Sequence, residues 1–163
     1  GGIALNEIQL SNAMKTCGDT VYRLALCRMQ NITDAEDVYQ DVFLRLMKQE
    51  ADSWDAEHMK AWLIRTTLNR CADLHRFRVR RPVLSLEEVA EQTGSADESW
   101  AEVWEAVARL PEKLRIPVHL YYGEGYSTEE IAAMTGVPAA TVRTRLHRAR
   151  EKLRNLLGGF DDA

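Results

Sequence analysis

Apolar residues recur at three- and four-residue steps from Val21 almost to the end of the chain, and β-branched and aromatic residues nowhere alternate over a convincing run. That period belongs to helices with one buried face, so the chain reads as all-α. In the first half, Ala35, Val38, Val42 and Leu46 form one stripe with Tyr39, Phe43 and Met47 beside it, and Thr33 or Asp34 is placed to cap the helix that carries them. A loop around 49–57 leads to a second long helix through Met59, Leu63, Thr66, Thr67, Arg70 and Leu74, in which Trp62, Leu63 and Ile64 contribute to the core. Pro82 fixes its own φ and lacks a backbone donor, which ends this block.

The clearest local grammar lies near the end. Ser127-Thr128-Glu129-Glu130 fits a capping box, so a helix starts at Thr128; it carries Ile131, Ala132 and Met134 and stops at Gly136. Val137 and Pro138 open the next helix, with proline where its missing donor is harmless. A small residue at Ala132, the turn glycine at Gly136 and an aliphatic at Val142 are the intervals of two helices crossing steeply, a helix-turn-helix from Ser127 to Leu157. In its second helix Val142, Leu146, Ala149, Leu153 and Leu156 are expected inside. That leaves Ala139, Ala140, Arg143, Thr144, His147 and Arg148 outside, where a groove-reading helix keeps its base contacts. Arg143 suits bidentate contact with guanine, while Thr141, Thr144 and Arg148 suit bases or phosphates. The plainer alternative is a solvated basic face on an ordinary helical hairpin.

Charge sharpens this picture. The chain of 163 residues has a formal net charge of −4, which taken alone argues against nucleic acid, yet its charges are segregated. Lys60, Arg65, Arg70, Arg76, Arg78, Arg80 and Arg81 meet only Asp73 in their segment. Residues 82–98 hold five acids and no base, and residues 139–157 hold six bases against Glu151. Two basic surfaces therefore flank an acidic connector. The expected architecture is two small helical domains, 14–81 and 99–157, joined by an acidic flexible linker at 82–98. The second is a winged-helix-like four-helix domain without the wing. Residues 1–13 stay outside this assignment, although Ile3 to Leu10 would serve as an amphipathic helix start.

Cys17, Cys27 and Cys71 are odd in number and lack CxxC spacing, so neither a disulfide framework nor a zinc site is expected; they read as buried or half-buried thiols. His147 is read without a cysteine or carboxylate at ligand spacing and is given a phosphate or groove contact; His58, His75 and His119 stand similarly isolated. No acid pair or nucleophile-base set points to catalysis, and no metal or cofactor is expected. No apolar run approaches a membrane span and no signal-peptide pattern opens the chain, which favours a soluble, intracellular protein with no direct membrane insertion.

Two features stay double-edged at this level. Asp34, Glu36, Asp37 and Asp41 suit the positive end of a helix dipole, but Asp37, Gln40, Asp41 and Leu44 also cluster as a polar docking face. Trp54 either folds back onto the helices or offers an unstacked base a platform. A self-sufficient repressor or activator that uses the helix-turn-helix, and a helical interaction protein that docks without reading DNA, are both left open by these features.

Four blocks, in order, resemble a known family: Asp34-Ala35-Glu36-Asp37-Val38-Tyr39-Gln40-Asp41-Val42-Phe43; Trp62-Leu63-Ile64 with Asn69, Asp73 and the Arg76–Arg81 cluster; Leu110-Pro111-Glu112; and Tyr126 to Leu153. Together they resemble the small two-domain sigma factors of bacterial RNA polymerase, the extracytoplasmic-function (ECF) group, over about Thr20 to Leu157. The resemblance implies that Asp34, Asp37, Gln40, Asp41 and Leu44 dock on core RNA polymerase. It implies that Trp54, His58, Lys60, Trp62, Arg65, Asn69, Arg70, Arg76, Arg78 and Arg80 melt the −10 element of promoter DNA. Thr141, Arg143, Thr144, His147 and Arg148 would then read the −35 element, in the bacterial cytoplasm, under the control of an anti-sigma factor. Thr66-Thr67 and Met59 depart from the family's more apolar and aromatic residues at those places, which bears on −10 specificity.

Overall fold

The computed structural model describes residues 6–77 and 98–158, and the chain divides into two compact units, Gly1–Arg81 and Pro82–Ala163. All regular elements among the described residues are helical.

The first unit contains α1 (Glu7–Met29), α2 (Ile32–Met47) and α3 (Ala56–Phe77), each packed on the other two. Asn6 caps α1 through a reciprocal box with Gln9, so this helix begins upstream of residue 14 and buries Ala13. It ends at Gln30, whose φ of 53° turns the chain so sharply that Asn31 already caps the next helix. The cap of α2 is therefore Asn31, whose Oδ1 accepts from the Asp34 amide at 3.0 Å, and neither Thr33 nor Asp34. Asp55 opens α3 by accepting from the His58 amide at 2.7 Å. Val21, Leu24 and Leu26 of α1, Val38, Val42 and Leu46 of α2, and Leu63, Ile64 and Cys71 of α3 fill the core, at about 1.5–3 kcal/mol for each large side chain buried. Thr67 is fully enclosed among them, and its hydroxyl is satisfied by donating to the Leu63 carbonyl at 2.6 Å. Gly18 packs closely against α2: an added Cβ would lie 3.0 Å from the Tyr39 hydroxyl, a tight contact that ring would have to ease.

The second unit contains α4 (Glu98–Ala108), α5 (Glu112–Val118), a π-helical turn (His119–Gly123) that continues α5, α6 (Thr128–Thr135) and α7 (Ala139–Leu156). Pro111 caps α5 by its extended backbone, and the buried Arg115 ties the turn before it together, its Nη1 donating to the Leu110 carbonyl at 2.7 Å. Helix α7 is packed by α4, α5 and α6. Val142, Leu146 and Ala149 are buried as expected, Leu153 is half-buried, and Leu156 is 46% exposed: the apolar period outlasts the cover available to the helix's last turn. All three cysteines are free and buried.

Candidate nucleic-acid interface

The helix-turn-helix is assembled by its own ends. Ser127 Oγ accepts from the Glu130 amide at 3.1 Å while the Ser127 amide donates to Glu130 Oε1 at 3.0 Å, so the capping box closes in both directions. At the other end Gly136 takes φ 74°, where an L side chain would be strained, and its amide donates to the Ala132 carbonyl at 2.9 Å. Val137 and Pro138 do not open α7 as expected from the sequence: Pro138 is its extended N-cap and the helix starts at Ala139.

With Val142, Leu146 and Ala149 turned inward, α7 exposes Ala140, Arg143, Thr144, His147 and Arg148, while Thr141 is half-buried. Each of these polar groups has a distinct state. The Arg143 Nη1 lies 3.5 Å from Glu129 Oε1, an exposed pair that joins the two helices of the motif. The Glu129 carboxyl is held below the ordinary glutamate range, first by its own backbone amide, then by the Thr128 hydroxyl, with Arg143 adding to it. Thr144 donates its hydroxyl to the Ala140 carbonyl at 3.0 Å. His147 does have a carboxylate partner, Glu151 one turn on at 3.1 Å, which corrects its reading as isolated. Arg148 forms no ion pair among the described residues and is exposed. Farther along, Arg150 donates to the Tyr122 hydroxyl at 3.0 Å.

His119 is not isolated either. Its ring is almost wholly buried, meets Trp104 edge-on with centroids 6.0 Å apart, and holds Nε2 3.6 Å from the Glu124 carboxylate. Its sequence neighbours Ile116, Val118 and Leu120 are all buried, a signal of burial that counting lone histidines misses.

In the first unit the tryptophan question receives a geometric answer. Trp54 stacks on His58 with centroids 4.4 Å apart and planes at 13°, and tilts against Trp62 at 5.6 Å. It is neither core nor free: it and Trp62 are the half-buried members of a three-ring cluster at the start of α3, with His58 exposed. Lys60 is half-buried, and Arg65 and Asn69 are exposed further along the same helix. Arg70 turns elsewhere, forming an ion pair with Asp41 of α2. Arg76 lies in the last turn of α3, and Arg78 and Arg80 fall outside the described residues.

On α2, Asp37, Gln40 and Leu44 are exposed and Asp41 is half-buried, whereas Asp34 is only 4% exposed and is removed from that surface. Asp34 sits in the first turn beneath its own cap, facing the core. An aromatic run backs the helix: Tyr39 meets Phe43 at 4.9 Å and Tyr22 of α1 at 6.5 Å. Burial pushes both the Tyr39 and Tyr22 phenols above their ordinary range, with Asp19 and Glu36 adding to it respectively.

Among the described residues, no helix is long and apolar enough to cross a membrane and no group of His, Cys, Asp or Glu is arranged to hold a metal ion.

Comparison with known proteins places the chain in a family. Residues 14–81 match Sigma-70 region 2, and residues 100–153 match Sigma-70, region 4. The chain is 34% identical over 149 residues to the ECF RNA polymerase sigma factor SigE of Mycolicibacterium smegmatis, covering 85% of this chain but only 58% of SigE. It is 33% identical over 141 residues to the ECF RNA polymerase sigma factor SigM of Mycobacterium tuberculosis, covering 85% of this chain and 71% of SigM. Among solved structures, CnrH in complex with the cytosolic domain of CnrY is similar at a TM-score of 0.68 and 28% identity, over 96% of this chain and 92% of that one. With both sigma-70 regions matched in order and relatives of this kind along most of its length, the chain belongs to the ECF group of the sigma-70 family of RNA polymerase sigma factors.

Proposed function

We propose that this chain is a promoter-specificity subunit: it binds core RNA polymerase and directs initiation by recognising −10 and −35 elements, while the polymerase supplies the chemistry. The observation that carries the reading is the exposed row Arg143, Thr144, His147 and Arg148 on a helix whose start and inward face are set by the turn before it. Such a helix presents its N-terminal outward residues to base edges in the major groove. Arg143 is assigned to guanine, Arg148 to phosphate, and Thr141, Thr144 and His147 to bases or backbone of the −35 element.

At the other end, the Trp54, His58 and Trp62 rings form a stacking platform for a −10 base, and Lys60, Arg65 and Asn69 line the helix that leads away from it. Arg76, Arg78 and Arg80 are assigned to backbone phosphates of the same element. The exposed Asp37, Gln40 and Leu44, with Asp41, form the face that docks on polymerase, and the acid-rich 82–98 segment links the two domains.

CnrH was solved bound to the cytosolic domain of another protein, and a comparable regulator, an anti-sigma factor, is the second protein partner proposed here. Its action would hold the factor inactive in the bacterial cytoplasm by covering these surfaces. Run-off transcription with purified core polymerase on a genomic library tests the whole reading. New start sites sharing −10 and −35 elements are expected; failure to co-elute with core and to redirect it overturns the proposal.

A further inference from the structure

The resemblance to ECF sigma factors implies a −10 DNA contact for Arg70. Its actual neighbour is on α2. The Arg70 Nε forms an ion pair with Asp41 Oδ2, and the same oxygen lies 3.3 Å from the Arg45 Nε. That oxygen is closed to solvent, although the Asp41 side chain as a whole is 34% exposed, so the accessible part of the side chain lies beyond the atom the arginines hold. Around the pair runs an open recess of about 300 Å³, lined by Asp37, Gln40, Asp41 and Leu44 of α2 and by Arg70 and Leu74 of α3.

To reach a phosphate, Arg70 would have to give up its ion pair and leave Asp41 with the more exposed Arg45, 3.3 Å away, as its remaining cation. The geometry therefore favours the guanidinium staying with Asp41. Held from two sides, Asp41 has little freedom left, and its exposed part is presented at a set place beside Leu44.

We propose that Arg70 is a positioning residue of the polymerase-docking surface, anchoring Asp41 and carrying that surface from α2 onto α3, and is not a contact to promoter DNA. This rests on the docking role proposed above for α2. Its consequence is that the docking face and the −10 helix share one ion pair, so that seating on polymerase also fixes the position of α3.

The test measures binding of the full chain to core polymerase with no DNA present, by fluorescence anisotropy, for Arg70→Ala, Arg70→Lys, Asp41→Asn, the Asp41→Asn/Arg70→Ala double variant and Leu44→Ala. Circular dichroism checks that each is folded. For a pair about one-third exposed, Arg70→Ala and Asp41→Asn are each expected to weaken core binding about two- to fivefold. The double variant should be no worse than either single, and Arg70→Lys, which keeps a cation, should recover most of the loss. Leu44→Ala should weaken binding independently. If Leu44→Ala weakens core binding while Arg70→Ala leaves it unchanged and instead lowers the affinity of assembled holoenzyme for a −10 single strand, Arg70 is a DNA contact and the proposal is wrong. If neither variant affects core binding, the docking reading of α2 falls and this inference falls with it.

Discussion

The two ends of this molecule arrange their charges in opposite ways. On α7 the ionisable candidate reading groups stand on an exposed helix face, tied at most to a carboxylate that is itself exposed: Arg143 to Glu129, His147 to Glu151, and Arg148 to no described ionic partner. Around α2 and α3 the corresponding groups are committed to one another: Asp41 to Arg45 and Arg70, and Trp54 to His58 and Trp62. Exposed ionic contacts are weak and screened by salt, so the α7 groups can exchange their partners for DNA at little cost. Stacked rings and a shared carboxylate are held by shape as well as charge. The difference teaches that a basic helix is not one kind of surface: α7 is preset to swap contacts, and the start of α3 to keep a geometry.

The largest effect expected is on the scaffold beneath that kept geometry. Leu63, next to Trp62 on α3, is fully buried in the core, so Leu63→Ala should destabilise the first unit by about 2–5 kcal/mol in urea denaturation followed by circular dichroism. A loss below about 1 kcal/mol would mean that the platform does not depend on the core under it.

Next in size are two variants that set stacking against charge. Trp54→Ala should weaken binding of assembled holoenzyme to a −10 single strand by about 1–3 kcal/mol, with the salt dependence unchanged, because an aromatic face and no phosphate contact is lost. Arg148→Ala should instead lower the slope of log K against log salt for −35 duplex by about one, with no change in sequence preference. Measuring both across a salt series checks the contrast directly; if the two slopes change alike, the distinction between the surfaces is lost.

How much of this is legible in the sequence follows from the range of the interactions. The cap at Ser127, the stop at Gly136 and the inward Val142 and Leu146 each depend on residues within a few turns, and all stand as read. The all-helical class follows from the same short periods. The cap of α2 was misjudged because Asn31, Thr33 and Asp34 are all good cap residues; the choice is made by Gln30, whose left-handed backbone turns the chain and leaves Asn31 extended. The stripe on α7 reads through to Leu156, since periodicity carries no information about where a covering helix stops. The His147 and Glu151 pair is written at one-turn spacing and was readable. The ion pair between Asp41 and Arg70 was not, because it needs two helices to be packed before their side chains meet. The burial of Asp34 shows the same limit: acids in a first turn look alike until the core is known.

Ser127→Ala removes one half of the capping box, which leaves the Glu130 amide without its side-chain acceptor. The expected cost is about 1 kcal/mol in thermal unfolding of the second unit, and Ser127→Asp should restore most of it, because an aspartate accepts the same bond at the same place. A silent Ser127→Ala would imply that the motif is held by its buried aliphatics alone.

The smallest effect concerns the link between Glu129 and Arg143. Because the Glu129 carboxyl is held below its ordinary range in the folded chain, it contributes stability that is fully present above the unfolded glutamate range and fades as pH falls through the lowered folded value. The group is exposed, so the contribution is slight and is best read from a carboxyl NMR titration, with Glu129→Gln as the reference that lacks the titration. Arg143→Ala should move the Glu129 midpoint upward only a little, since its own backbone amide and the Thr128 hydroxyl act ahead of the arginine in holding it down. The same ranking predicts the converse: Glu129→Gln leaves α7 folded and Arg143 exposed but freer to sample other positions, so −35 affinity should change less than discrimination at the base pair that Arg143 reads. A variant that lost affinity and kept discrimination would place Arg143 on phosphate, and the reading end of the molecule would then rest on the remaining outward residues of α7.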